Sequence, residues 1–394
     1  MVSNAGNRSY ENARRLVAMG HEVQMVTSYT HAKPDEPSHW FETNEEGILV
    51  HWLPVPYSNK MNFRKRIVAF VRFAFLASRK AASLDADLVF ATSGPLTIAI
   101  PALWASWRKQ IPLVFEVRDL WPEGAIQLGV LRNRLLQFLA RQLEYFTYHR
   151  STHIVALSPG MKAGILNANI DETKVTVIPN ASDLDLFSPD VDGSEFRQKF
   201  FLNGKFSLGY FGTMGLANGL NFILDAAAEL KRRNIEDVVF LLHGDGMERS
   251  TLETRAKSEH LSNVIFSDPI PEKKKIAELV AAVDVCMTIY KNVPVLRTCS
   301  PNKMFDSFAA GKPVLTNMPG WLGDLAEKEG TGVLVEPDNP KDFADKVIFM
   351  HNNHELLKDF GLRSRNLAEK TFDRDLLAQQ LEKVFKDVIA KQSI

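Results

Sequence analysis

The chain alternates short apolar runs with segments of helical periodicity along almost its whole length. Many of the short runs are apolar throughout, as expected for strands that are covered on both faces. Strands that alternate with helices form parallel sheets with crossover helices, and such sheets bind ligands beyond the carboxyl ends of their strands. The sequence therefore predicts an α/β fold whose functional residues follow directly after strands.

Twelve strands can be placed in this way. In the first half of the chain they span 22–27, 48–53, 86–91, 112–117, 153–157 and 175–178. In the second half they span 206–211, 238–243, 264–266, 283–289, 313–316 and 332–335. An irregular stretch at 179–205, rich in Pro, Asp and Ser, separates the two halves.

A chain of 394 residues is long enough for two cores. We predict an N-terminal domain at 1–183, a C-terminal domain at 184–371, and a last helix within 372–394 whose apolar stripe packs on the first domain. The segment 4–7 is typical of a turn that follows a first strand, yet only three residues precede it. We therefore expect the first strand of the N-terminal sheet to be truncated.

Composition excludes several classes of protein. The 47 basic residues are balanced by 47 acidic ones, which is not typical of a nucleic-acid binder. No apolar run is long enough to span a bilayer and no signal peptide is visible, so a cytoplasmic location is expected. The histidines lack the spacing of metal ligands, and no metal is expected.

The segment 298–314 is the strongest local signal. Ser300 is predicted to cap a helix that begins at Pro301, and Gly311 to end it. A helix that opens beyond a strand presents free N–H groups to a diphosphate, and Lys303 in its first turn adds a positive charge. An ordinary capped helix with a solvated lysine explains the segment equally well.

Two glycine-containing loops also follow strands, at 212–219 and 243–246. Glycine lets the backbone approach a phosphate closely, although ordinary turn formation explains such loops too. In the first half, Glu116, Arg118 and Asp119 follow a strand where a ligand of the sheet would lie. The alternative for these three residues is a salt-bridged turn.

The segment 60–80 is basic and has no acidic residue. One face of its helical projection contains Phe63, Ile67, Phe70, Val71 and Ala74. Most of the basic residues lie opposite, which predicts peripheral association with an anionic membrane, each Lys or Arg contributing about 1 kcal/mol. The alternative is a core-packed helix with a solvated basic face.

Together these segments resemble the family-4 retaining glycosyltransferases, in particular the branch of bacterial O-antigen, capsule and exopolysaccharide assembly. The resemblance includes an interdomain signature at 177–187 and second-domain motifs at 240–246 and 309–314, in order and at suitable spacing. It implies the GT-B fold, with two Rossmann-like domains facing across a cleft. The second domain would bind a nucleotide sugar and the first an acceptor.

The resemblance also implies a reaction. A sugar, expected to be N-acetylated or a 6-deoxy amino sugar, would pass from a UDP-sugar to a lipid-linked saccharide acceptor at the inner membrane face. The anomeric configuration would be retained, and neither a cofactor nor a metal would be needed. In such a reaction the protein positions the reactants and stabilises the charge of the leaving group.

Site residues are assigned on the same basis. The expected donor-binding residues are Gly212, Thr213, Gly215, Asn218, Gly219, His243, Gly244, Asp245, Arg297, Ser300, Pro301, Asn302, Lys303 and Asp306. The expected catalytic residues are Asp119, Arg118 and Glu116, and the expected acceptor-side residues are Asn7, Arg8 and Trp121.

The chain departs from the family's usual residues at several of these positions. Thr298 replaces the first of two glutamates, Asp306 the second, Thr213 and Asn218 an arginine and a lysine, and Arg118 a histidine. Lys303 and Arg297 are expected to supply the displaced positive charge, and Asp306 to reach the ribose. Two other functions stay open: a non-hydrolysing UDP-sugar 2-epimerase, and a non-catalytic sugar-nucleotide-binding or scaffold subunit.

Overall fold

The computed structural model describes residues 8–30, 39–55, 61 and 63–392, without the side chains of 63 and 64. The predicted turn 4–7, the predicted acceptor residue Asn7, and Lys60 of the basic segment lie outside the described residues. The chain divides into unit 1, Met1–Pro179 with Ala378–Ile394, and unit 2, Asn180–Leu377.

Unit 1 contains two sheets and several helices. Its helices are α1 (Arg8–Ala18), α2 (Phe63–Ser83), α3 (Ala99–Lys109), α4 (Glu123–Gln127), α5 (Arg134–Arg150) and α6 (Pro159–Leu166). Its strands are β1 (Gln24–Tyr29), β2 (Phe41–Glu45), β3 (Ile48–Pro54), β4 (Val89–Thr92), β5 (Leu113–Val117), β6 (His153–Ala156) and β7 (Val175–Val177). One sheet has the order β1-β3-β2, and the other the all-parallel order β4-β5-β6-β7.

Unit 2 contains one parallel sheet of six strands. Its strands are β8 (Phe206–Phe211), β9 (Val238–His243), β10 (Val264–Ser267), β11 (Val285–Thr288), β12 (Val314–Thr316) and β13 (Gly332–Leu334). Its helices are α7 (Ser194–Lys199), α8 (Asn221–Arg232), α9 (Arg249–Ser258), α10 (Lys273–Ala281), α11 (Asn302–Ala309), α12 (Trp321–Glu327), α13 (Pro340–His351) and α14 (His354–Leu367). The last helix, α15 (Arg374–Gln392), begins here and ends in unit 1.

The apolar strands form the cores, as hydrophobic burial requires. In unit 2, every residue of β8 and β9 is buried, and Phe240 packs with Phe222 and Phe343 from the flanking helices. In unit 1, β5 is entirely buried, and Phe115 packs with Ile154. Coverage on both faces explains why these strands show no alternation.

All twelve predicted strands are present, with ends displaced by up to three residues. The α/β class with Rossmann-like parallel sheets is thus confirmed. Sequence reasoning missed β2, an antiparallel edge strand in which partly buried and exposed residues alternate. A two-residue turn joins β2 to β3, with Glu46 at φ 52° and Gly47 at φ 85°, the geometry of tight hairpins.

The end of α15 packs within unit 1. The ring of Phe385 lies 5.1 Å from that of Phe90 on β4, and His21 Nε2 is 2.8 Å from a carboxylate oxygen of Glu382. Within the described parts of the chain, no helix combines the length and the apolar character that a membrane crossing requires.

The apolar face predicted for the basic segment is only in part the inward face of α2. Val71 is 61% exposed and Ile67 is also exposed. The side chains that pack inward are those of Ala74, which belongs to the predicted face, and of Ala69 and Ala77, which do not. Small residues face the core because α2 packs closely on α3. Larger apolar side chains are consequently left on the outer surface, among the basic ones.

Candidate functional site

The strand order of unit 2 singles out one position for ligand binding. The order is β10-β9-β8-β11-β12-β13, so the chain leaves β8 first toward one edge and then crosses to its other side. Such a reversal creates a crevice at the carboxyl ends of the two strands at the switch point, here β8 and β11. The loop after β8 and helix α11 after β11 both belong to this region.

Two glycines bring the loops after β8 and β9 into direct backbone contact. Gly212 has φ 148° and donates its N–H to His243 O at 3.0 Å. Gly244 has φ 135°, and a Cβ on it would lie 2.0 Å from Gly212 O. Only glycine tolerates both the conformation and the approach. At Gly244 the close approach is to the Gly212 backbone, as in the alternative of ordinary turn formation, and the approach to a phosphate stays a prediction.

The remainder of the 212–219 loop is stabilised by a hydrogen bond within the loop and by close packing against Lys291. The buried Asn218 side chain accepts a hydrogen bond from Gly215 N at 3.3 Å. Gly219 has φ 58°, and its Cα lies so near Lys291 that a Cβ would meet the backbone at 3.0 Å. Thr213 is exposed. The Asn218 side chain therefore shapes the loop, while Thr213 faces outward.

Lys303 is the cation of this region. Its Nζ donates to Tyr210 Oη at 2.7 Å and lies 3.9 Å from the Tyr210 ring centroid. Tyr210 Oη in turn donates to Thr213 O at 2.7 Å, which links α11 to the loop after β8. Burial lowers the pKa of Lys303 to about 7. No carboxylate in the described ranges pairs with this ammonium, whose hydrogen-bond partner is the neutral hydroxyl of Tyr210.

The start of α11 differs from the prediction. The helix begins at Asn302 rather than Pro301, and Pro301 takes the cap position without a side-chain hydrogen bond. Ser300 does not cap it, because its Oγ accepts from Asn180 N at 3.0 Å. The N–H groups of the first turn consequently have no side-chain cap. Gly311 follows the helix with φ 63°, as expected for its end.

Asp306 lies one turn further along α11, at a partly buried position. Its carboxylate accepts a hydrogen bond from Ser182 Oγ at 2.7 Å, and burial raises its pKa to about 6. The neighbouring cations serve a different carboxylate: Lys273 Nζ and Arg374 Nε lie 2.6 and 3.0 Å from Asp183. Asp306 thus has a neutral partner and an elevated proton affinity.

The other predicted donor residues of unit 2 differ in how deeply they are buried. His243 is buried beside Ser267, and burial lowers its pKa to about 4, which keeps the imidazole neutral. Asp245 is exposed and accepts from Gly246 N at 2.8 Å. Arg297 is exposed and donates to Asn292 at 3.0 Å. The His243 side chain is therefore part of the interior, whereas the Asp245 and Arg297 side chains are accessible.

In unit 1, Glu116 is fully buried and both its oxygens have partners. One accepts from Arg8 Nε at 2.8 Å and the other from Thr92 Oγ1 at 2.7 Å. Arg8 also donates to the backbone oxygens of Ile178 and Pro179. The structure therefore places Glu116 and Arg8, predicted as catalytic and acceptor-side residues, in an internal ion pair that joins α1, β4, β5 and the end of β7.

Arg118, Asp119 and Trp121 follow β5 and are more accessible. Arg118 donates its backbone N–H to Ser93 Oγ at 2.9 Å, and Asp119 is exposed. Nearby protein desolvates the Asp119 carboxyl and raises its pKa, an effect that the adjacent Arg118 opposes. Trp121 packs partly against the unit 1 core. No group of three or more potential metal-ligating side chains comes together in the part of the chain that the structure describes.

Two family models match the chain. The glycosyl transferase 4-like domain matches residues 5–181, and the glycosyl transferases group 1 domain matches residues 205–353. The chain belongs to the family-4-like GT-B glycosyltransferases. The sequence motifs predicted this family, and the prediction is confirmed.

Curated relatives of this family are distant. An uncharacterized glycosyltransferase of Methanocaldococcus jannaschii is 18% identical, over 66% of this chain and 64% of its own length. The capsular polysaccharide biosynthesis glycosyltransferase CapM of Staphylococcus aureus is 24% identical, over 63% of this chain and 65% of its own. The chain thus spans about two thirds or less of these relatives' lengths.

Solved structures share the GT-B fold with this chain. Sucrose-phosphate synthase from Thermosynechococcus elongatus superposes with a TM-score of 0.77 at 18% identity, over 97% of this chain and 93% of that one. Anabaena HepE, solved in complex with UDP and glucose, superposes with a TM-score of 0.67 at 18% identity, over 86% and 87%.

Sequence reasoning missed the residues that tune this GT-B site. Tyr210 was placed in a strand and at the start of the glycine-containing segment 210–219 but was given no role, although a hydroxyl at a buried strand end must find a partner. Arg374 was not singled out, because its link to Asp183 joins positions that are distant in sequence. No local pattern reveals such a pair.

Proposed function

We propose that this chain is a retaining glycosyltransferase that moves a sugar from a UDP-sugar to a lipid-linked saccharide acceptor. The observation that carries the proposal is the position of Lys303 at two glycine loops, at the switch point of the unit 2 sheet. Its ammonium has no carboxylate partner among the residues that the structure describes. A diphosphate fits this combination of cation and exposed backbone groups.

Donor binding follows from the local contacts. The diphosphate would accept hydrogen bonds from Lys303 and from the N–H groups at the start of α11, with Gly212 allowing its close approach. Arg297, being exposed, can add a second positive charge. Asp306 would accept hydrogen bonds from the ribose hydroxyls, a role suited to a carboxylate whose partner among the described residues is the neutral hydroxyl of Ser182.

The proposed transfer is a front-face substitution with retention. The bond between the anomeric carbon and the diphosphate oxygen breaks, and a bond to the acceptor oxygen forms on the same face. The leaving phosphate oxygen takes the acceptor's proton, so no protein base is needed. Asp119 of unit 1 would position the acceptor hydroxyl, and Lys303 would stabilise the charge on the leaving diphosphate.

The acceptor class rests on the resemblance and on the relative CapM, which is named for capsular polysaccharide biosynthesis. A lipid-linked saccharide in surface polysaccharide assembly is the proposed acceptor, and an N-acetylated or 6-deoxy amino sugar the proposed donor group. The protein would act on the cytoplasmic side of the plasma membrane. Its basic segment 60–80 would hold it there peripherally.

Thermal unfolding with UDP, GDP, UDP-N-acetylglucosamine and NAD tests the donor site. A ligand present at 100 times its Kd stabilises the protein by about 2.7 kcal/mol. We expect the two uridine nucleotides alone to raise the melting temperature, and Lys303→Ala to lose the rise. Lys328→Ala, on the exposed surface of unit 2, is the matched control and should keep it.

Turnover assays separate the proposal from its alternatives. UDP should be released only when a lipid-linked saccharide is added. Conversion of the UDP-sugar without an acceptor would indicate an epimerase instead. Binding of UDP without turnover on any lipid-linked acceptor would indicate a binding or scaffold subunit. A lack of response to every nucleotide would contradict the donor site itself.

A further inference from the structure

The outer surfaces of α2 and α3 carry large apolar side chains. Val68, Phe75 and Trp107 are 65%, 59% and 61% exposed, and Val71 and Trp104 are exposed as well. The rings of Trp104 and Trp107 lie 5.2 Å apart. Since α2 packs directly on α3, these side chains form one outer surface, which we name the α2–α3 surface. A contiguous apolar surface of this kind marks an interaction site.

The apolar character continues onto α5. Because parallel strands are joined by right-handed crossovers, α3 and α5, which connect β4, β5 and β6 in order, lie on the same face of their sheet. The exposed side chains of α5 include Leu135, Phe138 and Leu139. The end of α15 contacts Phe90 of β4, which is not part of the core that packs against α3. Its Gln392 side chain reaches the residue just after α3 and donates to Gln110 O at 2.7 Å.

A basic groove lies within the α2–α3 surface. Its volume is about 520 Å³, and Arg79, Arg108, Lys109 and Trp104 contribute to its lining. Lys109 pairs with Asp85 at 3.2 Å, and the Arg79 guanidinium lies 5.0 Å from the Phe75 ring centroid. No carboxylate among the described residues pairs with Arg79 or Arg108. The sequences of α2 and α3 contain no Asp or Glu at all.

This chemistry selects among possible occupants. A second copy would bring two basic grooves together, which like-charge repulsion opposes. A nucleic acid would place polar phosphates against Val68, Val71 and the leucines of α5. An anionic bilayer accepts both features, because tryptophan favours the headgroup layer, aliphatic side chains enter the acyl boundary, and arginine binds lipid phosphate.

We propose that the α2–α3 surface is a lipid-binding surface whose groove holds the phosphate of an anionic phospholipid between Arg79 and Arg108. Trp104, Trp107 and Phe75 enter the headgroup layer around it. The proposal rests on the membrane association included in the proposed function. The proposal replaces a basic segment with a defined surface as the membrane contact. Half of this surface belongs to α3, which sequence analysis did not single out.

Sedimentation with vesicles tests the proposal. Vesicles of phosphatidylcholine alone are compared with vesicles that also contain phosphatidylglycerol. Each positive charge removed should weaken partitioning on the order of fivefold, so Arg79→Gln with Arg108→Gln should lower it roughly 25-fold on the anionic vesicles only. Trp104→Ala with Trp107→Ala should weaken partitioning on anionic vesicles at unchanged charge.

Matched controls lie in unit 2. Phe201→Ala removes an aromatic ring that is 84% exposed, and Lys328→Gln removes an exposed charge. Both should bind vesicles like the unmodified protein. Equal binding by the α2–α3 variants and these controls would overturn the proposal. So would binding that requires a polyprenyl diphosphate in neutral vesicles, because the groove would then be an acceptor site.

Failure of this proposal is distinguishable from failure of the proposed function. Vesicle binding is measured without substrates, and the α2–α3 variants should keep the melting shift with UDP, since the donor residues lie in unit 2. Vesicle binding without any response to UDP would uphold the surface and contradict the donor site. A melting shift with UDP without vesicle binding would uphold the donor site and contradict the lipid-binding surface.

Discussion

The two units bury charge in opposite ways. In unit 1, the buried Arg8 and Glu116 neutralise each other, and Thr92 fills the second carboxylate oxygen. In unit 2, Lys303 and Asp306 are partly buried on the same helix, and their side chains bind the neutral hydroxyls of Tyr210 and Ser182. Both kinds of site follow the strands of a parallel sheet. Among the described residues, however, neither Lys303 nor Asp306 forms an ion pair, whereas Arg8 and Glu116 do.

This difference distinguishes a buried charge pair with a structural role from buried charges that are suited to binding a ligand. A buried pair that is fully satisfied holds elements together, and removing one member leaves an uncompensated charge. Charges that lack a countercharge cost stability, and a protein tolerates that cost where a ligand supplies the missing partner. The pKa values of Lys303 and Asp306, shifted to about 7 and about 6, therefore support the donor site that we propose in unit 2.

The largest predicted effect is on the satisfied pair. Glu116→Gln removes the carboxylate that pairs with the buried Arg8 guanidinium and should lower the free energy of unfolding by about 3–5 kcal/mol. The midpoint of urea unfolding measures it. Asp87→Asn, on the exposed surface of unit 1, should change stability by less than about 0.5 kcal/mol.

A double replacement sharpens this prediction. Arg8→Met with Glu116→Leu removes both charges together and should recover most of the lost stability, because apolar residues of similar volume can replace a buried ion pair. If Glu116→Gln unfolded at the same urea concentration as the unmodified protein, the pair would not be the structural link described here.

A smaller effect of opposite sign is predicted for Asp306→Asn. Burial raises the pKa of Asp306 to about 6, from 3.8, so folding favours the protonated carboxyl. This contribution is present below about pH 4 and is lost as the pH rises through 6. At pH 7 the ionised carboxylate destabilises the protein, and asparagine should be more stable by roughly 1–3 kcal/mol.

Urea unfolding at pH 4 and pH 7 measures this difference. The gain should vanish at pH 4, where the unmodified carboxyl is protonated. Asp324→Asn, on the exposed surface of α12, should give no gain at either pH. The stabilised variant should also bind UDP more weakly, since function retains the charge. A gain that is equal at both pH values would contradict the elevated proton affinity.

The contrast also explains what the sequence could predict. The twelve strands were predicted because short, uniformly apolar runs such as 206–211 and 238–243 are typical of strands that helices cover on both faces. Strand β2 was missed because an edge strand needs few apolar residues and gains its order from pairing with β3. The inward face of α2 was predicted only in part, at Ala74, because small alanines rather than the bulky residues pack against α3.

The candidate site was predicted in part. Lys303, Asp306 and the glycines of the 212–219 loop were named from local patterns, and the structure brings Lys303 to the loop through Tyr210. Glu116 was given a catalytic role because a charged residue at a strand end looks the same whether it faces a ligand or an internal arginine. Its partner Arg8 lies 108 positions away, beyond the reach of any local pattern.

The smallest predicted effect tests the link between Lys303 and the loop. Tyr210→Phe removes the hydroxyl that accepts from Lys303 Nζ, so the pKa of Lys303 should fall further below about 7. If it falls by one unit, the charged fraction at pH 8 drops about tenfold, while at pH 6 it drops only about twofold. UDP affinity should therefore fall more at pH 8 than at pH 6.

Calorimetric titration with UDP at both pH values measures this loss. Lys303→Arg provides the background that isolates the cause, because arginine stays charged throughout this range. In that background, Tyr210→Phe should weaken UDP binding equally at pH 6 and pH 8. An equal loss already in the lysine protein would show that Tyr210 acts by shaping the loop through Thr213 rather than by holding the ammonium charge.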